Sequence, residues 1–375
     1  MPNGVQPTIV SIAAQAGVSI ASVSRVLNGQ GGRHDTVQRV RRAAAELGYV
    51  PNAVARSLKD GRTRQLTFAM PDIGNPVYVA MVRAIQTVTK AAGYRLLLHS
   101  TDAVAEDELA VLRSLGDRTS DGLIICPIRI SDAHIEALTT AAGPVVVIGS
   151  LPDDVPVDSV RADSVAGAAI AVRHLTDTGR RRIGFVNGPS DTVPGGNRDQ
   201  GYRAALTDRG LPYDEALVVH TAFDIDSGAA AVERLLPARP DALFCANDQL
   251  ALGVAHALLA RGLRVPGDIA VVGMDDSALA RAAWPPLTSV DLGSSERGRL
   301  AAELLLDRLR LQGPDTGRDP AAPPPPSRTA TVPPRTTTVP PRLVVRASTT
   351  PADAAPADSA PANSAPADST DTRTA

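Results

Sequence analysis

The chain has 375 residues, 43% of them hydrophobic and 21% charged, a length and balance that suit two or three globular domains and exclude a fibrous or wholly disordered protein. No apolar run approaches the ~18 residues of a membrane-spanning helix, and the opening MPNGVQPTIVSIAAQAG has neither the basic start nor the long apolar stretch of a secretion signal. A cytoplasmic protein with no membrane partner is therefore expected. The net charge of -2 hides an asymmetry: residues 1–65 hold nine Lys/Arg against three Asp/Glu, a net +6, and the remainder carries a net -8. Such a basic head on an acidic body predicts that the head meets a polyanion.

Three helical patterns fill the head. From Thr8, a plausible N-cap, Ile9, Ile12, Ala13 and Ala16 fall at helical spacing, and Gly17 ends the run. Ser19 can cap a second helix. On it Ile20, Val23, Val26 and Leu27 cluster on one face, and Ala21, Ser22, Arg25 and Asn28 lie on the other. A third helix, DTVQRVRRAAAELG, turns Val37, Val40, Ala44 and Leu47 inward, with Asp35 as a cap and Gly48 at its end. Two helices joined at Gly17, the second with a face of small and hydrogen-bonding side chains, make a helix-turn-helix, in which Arg25 can reach a guanine edge or a phosphate. The competing account is a plain three-helix bundle with a solvated face; the +6 charge counts against it. In YVPNAVARSLKDGRTRQ, Pro51 can open a short helix with Val54 and Leu58 four apart.

From Leu66 the texture changes to apolar runs alternating with helix-like segments: LTFAM, RLLLHS, DGLIICP, PVVVIG, RRIGFVNG, DALFCAND and IAVVGMDD. That alternation predicts an α/β fold with parallel sheets covered on both faces, and its extent predicts two lobes. Polar turns such as PDIGNP, GPSDTVPGGNR, ANDQ and GMDDS follow the strands, where open α/β sheets bind ligands. Cys126 and Cys245, the two cysteines, sit in apolar runs and read as free core thiols. The RRR at Arg180–Arg182 reads either as a phosphate site or as a solvated turn between helix and strand, with the turn preferred. Near the end, a Pro/Thr-rich segment and a PADAAPADSAPANSAPADSTD tail lack apolar bulk. Between them PRLVVRAS looks like one more strand, which makes the Pro-rich piece an insertion.

TIVSIAAQAGVSIASVSRVLNG followed by TVQRVRRAAAELGYVPNAVARSL closely resembles the DNA-binding head and hinge of the lactose-repressor (LacI/GalR) family of bacterial transcription regulators. The resemblance continues through PDIGNP, GPSDTVPGGNRDQGYRAAL, ANDQLALG, VVGMDD, PPLTSV and PPRLVVRAST, over residues 8–312 and 339–349. It implies a helix-turn-helix head at 1–50, a hinge helix and linker at 51–65, and a core of two lobes like periplasmic sugar-binding proteins. The N-lobe spans 66–163 plus 293–312 and the C-lobe 164–292 plus 339–349, with an insertion at 313–338 and a tail at 350–375. It further implies that Ile20, Ala21 and Arg25 read bases and that Thr8, Ser22, Ser24 and Asn28 hold phosphates. In the hinge, Leu58 would wedge into the minor groove beside Asn52 and Ala55, a kink that costs a few kcal/mol of unstacking; by pattern alone Leu58 is a core residue of a fourth helix. The loop GQGGRHDT is shorter than usual and lacks the common Val-Ser pair.

In the core the resemblance implies an effector between the lobes, held by Arg198, Asp275 and Asn247 with Phe223 as a stacking plate and Tyr78 beside it. By pattern alone Arg198 and Asp275 would be a surface ion pair. Bidentate donors, carboxylates and an aromatic plate suit a sugar-like ligand. No GxSxG, Walker-A, GxGxxG, CxxC or HExxH pattern occurs, and six scattered histidines lack metal-ligand spacing; neither an enzyme, a metal nor a cofactor is expected. The expected protein is a ligand-responsive repressor of carbohydrate uptake or catabolism genes, a homodimer on a pseudo-palindromic operator. A solute-binding protein without regulatory role, or a sugar-active enzyme, are the other readings. A chain ending after Thr349 is expected to bind DNA and ligand as the full chain does, checked by titration of both; a large loss of either would give the tail a role beyond that of a spacer.

Overall fold

The computed structural model describes residues 7–27, 29–50, 57, 61–312 and 332–350. Asn28, the hinge positions Asn52, Ala55 and Leu58, and residues 313–331 and 351–375 lie outside the described residues.

The head consists of α1 (Ile9–Ala16), α2 (Ile20–Leu27) and α3 (His34–Glu46). Thr8 caps α1: its Oγ1 accepts from the Ser11 amide, and its own amide donates to Ser11 Oγ. Gly17 adopts φ 62°, the left-handed conformation that favours glycine, so the chain can turn through 108° into α2. Ser19 Oγ accepts from the Ser22 amide at 3.2 Å, as expected of a cap. Ile12, Ala13, Ala16, Val23, Val26, Val40 and Ala43 form the head's core. Ile20, the first residue of α2, is 46% exposed, as Ala21 and Arg25 are exposed. One expectation is corrected here. Asp35 does not cap α3; the helix begins one residue earlier at His34, and Asp35 in its first turn pairs with Arg39 at 3.2 Å.

The body continues with β1 (Gln65–Met70), α4 (Pro76–Ala91), β2 (Arg95–Ser100), α5 (Ala105–Ser114), β3 (Gly122–Ile125), α6 (Asp132–Thr139), β4 (Val145–Ile148) and β5 (Asp158–Ala162). Then come α7 (Ser164–Asp177), β6 (Ile183–Asn187), α8 (Val193–Asp208), β7 (Val218–His220), α9 (Ile225–Leu235), β8 (Ala242–Cys245), α10 (Asp248–Ala260), β9 (Ala270–Met274), α11 (Ala278–Ala282) and β10 (Thr288–Asp291). The last elements are α12 (Ser294–Leu311), β11 (Thr336–Val339) and β12 (Arg342–Val344). Two six-stranded sheets result, ordered β11-β5-β4-β3-β1-β2 and β12-β10-β9-β8-β6-β7. All neighbours are parallel except β10 and β12. The chain passes between the sheets three times: after β5, after β10, and between β11 and β12.

Strands such as GLII, VVVI and ALFC are buried on both faces, which is why they read as unbroken apolar runs. In the first lobe Phe68, Ile124 and Val146 face α4 and α12, and Ala69, Leu123 and Val147 face the cluster of α5 and α6. In the second, the Phe185 ring stacks on Phe244 and on Tyr202, each at 4.8 Å between centroids. There α9 and α10 cross so closely that a Cβ at Gly228 would overlap the Leu250 backbone, and one at Gly253 the Ile225 carbonyl. Both cysteines are free and buried, as expected, and burial pushes the Cys126 thiol up to about 12. The Arg180–Arg182 run is a turn: Arg180 donates to the carbonyls of Asp241 and Pro266, and the Asp241 carboxylate accepts from the amides of Arg181 and Arg182.

One boundary differs from expectation. Thr336–Val339 is not the end of the Pro/Thr-rich insertion but the edge strand β11, paired with β5 in the first lobe, and only from Arg342 does the chain join the second sheet. Its β-branched threonines suit a strand, yet they look like the low-complexity threonines just upstream. A buried ion pair locks this strand in place. Arg308 on α12 grips Asp158 at 2.6 and 2.7 Å and donates to the carbonyls of Val332 and Pro333, and the Arg335 amide donates to Asp158. Asp158→Ala strands that guanidinium, so urea denaturation is expected to show a loss of about 3–5 kcal/mol; a loss under about 1 kcal/mol would mean that water reaches Arg308 and replaces the pair.

Candidate ligand cleft and nucleic-acid interface

The loops after β1, β3, β4, β6, β8 and β9 meet at the carboxyl ends of both sheets and enclose a cavity of about 470 Å³. Tyr78, Arg198, Phe223, Asn247 and Asp275, the five positions singled out in the sequence, all line it. Each is held by a local device. Asn75 caps α4, accepting from the Val77 amide, and so aims the first turn that carries Tyr78. Thr192 caps α8, whose second turn carries Arg198. Phe223 lies over Gly188, where a Cβ would overlap its ring.

Arg198 and Asp275 are 7% and 8% exposed, so they are no surface pair. Their nearest charged atoms stand 4.0 Å apart, the Arg198 guanidinium lies 5.6 Å from the Phe223 ring centre, and Arg198 Nε has no hydrogen-bond partner among the described residues. Burial draws the Arg198 guanidinium below its usual value, against the pull of Asp275. Burial also raises the Asp275 carboxyl to about 6, opposed by Arg198 and Arg297. Asp275 carries φ 107°, a conformation rare for a side-chain-bearing residue, and its backbone N–H donates a hydrogen bond to the Val290 carbonyl at 2.8 Å. Asn247 is already engaged: its oxygen accepts from the Leu250 amide and its nitrogen donates to the Phe223 carbonyl. It positions the Phe223 loop as well as facing the cavity.

Three features of the cleft were not legible in the sequence. Arg297, in the first turn of α12, lines the cavity at 8% exposure; it lies between Ser295–Glu296 and Gly298–Arg299 in SSERGRLAAELLLDRL, with no spacing that marks it out. Arg129 of the first lobe and Asp191 of the second form a two-point ion pair at 2.8 and 3.2 Å, beside a Val193 amide to Ile128 carbonyl bond of 2.8 Å. Behind Asp275, Asp248 accepts from Ser289 Oγ and the Ser277 amide, both at 2.6 Å. Burial, with Asp275 adding to it, raises the Asp248 carboxyl to about 7.

On the head, Ile20, Ala21 and Arg25 form an exposed face of α2, and the Arg25 guanidinium makes no hydrogen bond or ion pair among the described residues, its carbonyl accepting from the Gln30 amide at 3.0 Å. Ser22 Oγ lies 3.0 Å from Ser19 Oγ, and Thr8 doubles as the α1 cap. Among the described residues no group of His, Cys, Asp and Glu suits a metal, and no single helix is long and apolar enough to cross a membrane.

Two crossed-over α/β lobes around a cleft, behind a helix-turn-helix, define a class of protein: a DNA-binding regulator with a small-molecule sensor. Comparisons agree. Residues 8–52 match the model of bacterial regulatory proteins of the lacI family, and residues 172–349 match a periplasmic binding protein-like domain. The chain is 38% identical over 315 residues to the HTH-type transcriptional regulator CelR of Thermobifida fusca, covering 81% of this chain and 92% of that one. It is 34% identical over 313 residues to catabolite control protein A of Priestia megaterium, covering 82% and 94%. Among solved structures, a CelR–cellobiose complex superposes with TM-score 0.66 at 33% identity, covering 91% of this chain and 99% of that one. A lac repressor dimer bound to operator and the anti-inducer ONPF superposes with TM-score 0.78 at 26% identity, covering 92% and 99%. The chain belongs to the lacI family of bacterial transcription regulators.

Asp248 and Asp275 supply a pH test. Both bind a proton more tightly folded than unfolded, so the stability they contribute is full below the ordinary carboxylate value and is lost as pH rises through about 6 and 7. Asp248→Asn, compared with the unchanged chain by urea denaturation, is expected to gain relative stability between pH 5 and pH 8. The gain is on the order of 1–3 kcal/mol, and a difference independent of pH would refute the buried-carboxylate account.

Proposed function

We propose that the protein is a repressor whose hold on operator DNA is switched by a sugar-like effector in the cleft. The observation that carries this reading is the joint placement of Arg198, Phe223 and Asp275 in a cavity with one wall on each lobe. A guanidinium, a carboxylate and an aromatic plate fit vicinal hydroxyls on a ring. The carbohydrate class draws support from the cellobiose bound in the CelR complex and from the ribose operon repressor of Escherichia coli, 34% identical over 306 residues.

Homodimers would place two α2 helices on two half-sites of a pseudo-palindrome in the bacterial cytoplasm. In each, Arg25 would read a base, the apolar Ile20 and Ala21 would favour thymine methyls, and Thr8, Ser22, Ser24 and Asn28 would position the head on phosphates. Asn52, Ala55 and Leu58 would enter the minor groove. An effector touching both lobes favours one lobe arrangement and changes operator affinity by its differential binding. This assigns no catalytic role to the cleft; turnover of a bound sugar would count against the reading.

Sequence selection with the full chain supplies the operator for the test. Arg25→Ala is expected to weaken that operator by about 1–3 kcal/mol in fluorescence anisotropy, and Arg198→Ala to keep ligand-free operator affinity but abolish its response to effector. Unchanged affinity in the first variant would remove Arg25 from base reading. An intact response in the second would move the sensor away from the cleft.

A further inference from the structure

The deep end of the cleft holds more positive charge than recognition of a neutral sugar requires. Arg198 and Arg297 enter it from different lobes, on α8 and on the first turn of α12, and the one carboxylate buried among the lining residues is Asp275. The Arg297 side chain makes a single hydrogen bond among the described residues, from Nε to the Leu292 carbonyl at 3.1 Å, and no carboxylate there approaches it within 4.0 Å. That bond fixes the turn before α12 and leaves the two terminal nitrogens without protein partners. Arg198 meets Asp275 only at 4.0 Å, with Nε unpartnered.

No other neighbour supplies the missing negative charge. Tyr78 and Cys126 border both guanidiniums or one of them, and burial keeps the phenol and the thiol protonated. Asp248 sits behind Asp275, engaged with Ser289 and Ser277, and outside the lining. At the rim, Asp72 and Asp102 are exposed, and Arg129 is paired with Asp191. Two buried guanidiniums that share the single carboxylate of Asp275, with no close ion pair to either, are costly. Arg297 is also held rigidly, since at the next residue, Gly298, a Cβ would stand 2.8 Å from the Met81 carbonyl of α4.

We propose that the effector is an anionic sugar derivative, whose carboxylate or phosphate is gripped by Arg297 together with Arg198 while its hydroxyls face Asp275. The inference rests on the cleft being the effector site and deepens that reading. Arg297 then decides specificity: it gives an acidic group its counter-charge, and a neutral sugar leaves it buried and unpaired.

Calorimetric titration of the full chain with D-glucose, D-glucuronate and D-glucose 6-phosphate tests this. At least one anionic probe is expected to bind roughly tenfold tighter than glucose, and which one does so separates a carboxylate from a phosphate ligand. Arg297→Met should erase that preference, with a larger loss for the anion than for glucose, and Arg297→Lys should restore part of it; circular dichroism checks that both variants fold. Glucose bound as tightly as both anions, or an equal loss of all three in Arg297→Met, would overturn the anionic effector and leave a sugar-binding cleft standing. Binding of none of the three by folded protein would overturn both.

Discussion

A parallel sheet must carry its chain back across a face after each strand, and this constraint places every functional loop. All the βα turns of a lobe emerge at one end, and three passages between the two sheets bring those ends together. The cavity follows from that arrangement. Its walls come from residues as far apart in sequence as Pro71 and Arg297, which no local pattern could join. The helices that cover the sheets do more than bury apolar strands: α4, α8 and α12 begin at the cleft with first-turn residues in its lining, and α10 presents its cap, Asn247.

Those first turns explain the electrostatics. Asn75, Thr192 and Asn247 cap three of the helices, each accepting from one first-turn amide, and side chains at fixed distances from each cap are left to meet a ligand. Arg198, Arg297, Asp275 and Asp248 are drawn into a poorly hydrated space where every charge is expensive unless paired. The protein tolerates a 4.0 Å separation between Arg198 and Asp275 and an orphan Nε there, an imbalance that a ligand bridging the two can relieve. At the mouth, Arg129 and Asp191 join the lobes by an exposed ion pair worth little by itself. A modest interaction of that kind suits a contact that must be made and broken as lobes shift.

How much of this was legible depended on periodicity and burial. Strands with both faces covered, GLII, VVVI and ALFC, stand out as apolar runs, and seven apolar runs, the exposed edge strand RLLLHS among them, placed both lobes. The strands that escaped notice are short or at edges. DSVRA in β5 begins with the buried Asp158 of an ion pair, and TTTV in β11 hides beside a Pro-rich segment of similar composition. Spacing misled at a helix end: Asp35 sits inside the first turn of the helix it was expected to cap.

By itself the sequence determined the helix-turn-helix, the alternation of strands and helices, the two lobes and the family, because each is written in local spacing or in long runs of matching residues. It also named five cleft positions, but only through resemblance; spacing alone made Arg198 and Asp275 a surface pair. Tertiary structure decided that they are buried together, that Asn247 is tied to the Phe223 loop, and that Arg297, which no spacing marks out, points a guanidinium into the same space. Burial and pairing depend on distances between residues far apart in the chain. Those distances exist only once both sheets have formed and faced each other.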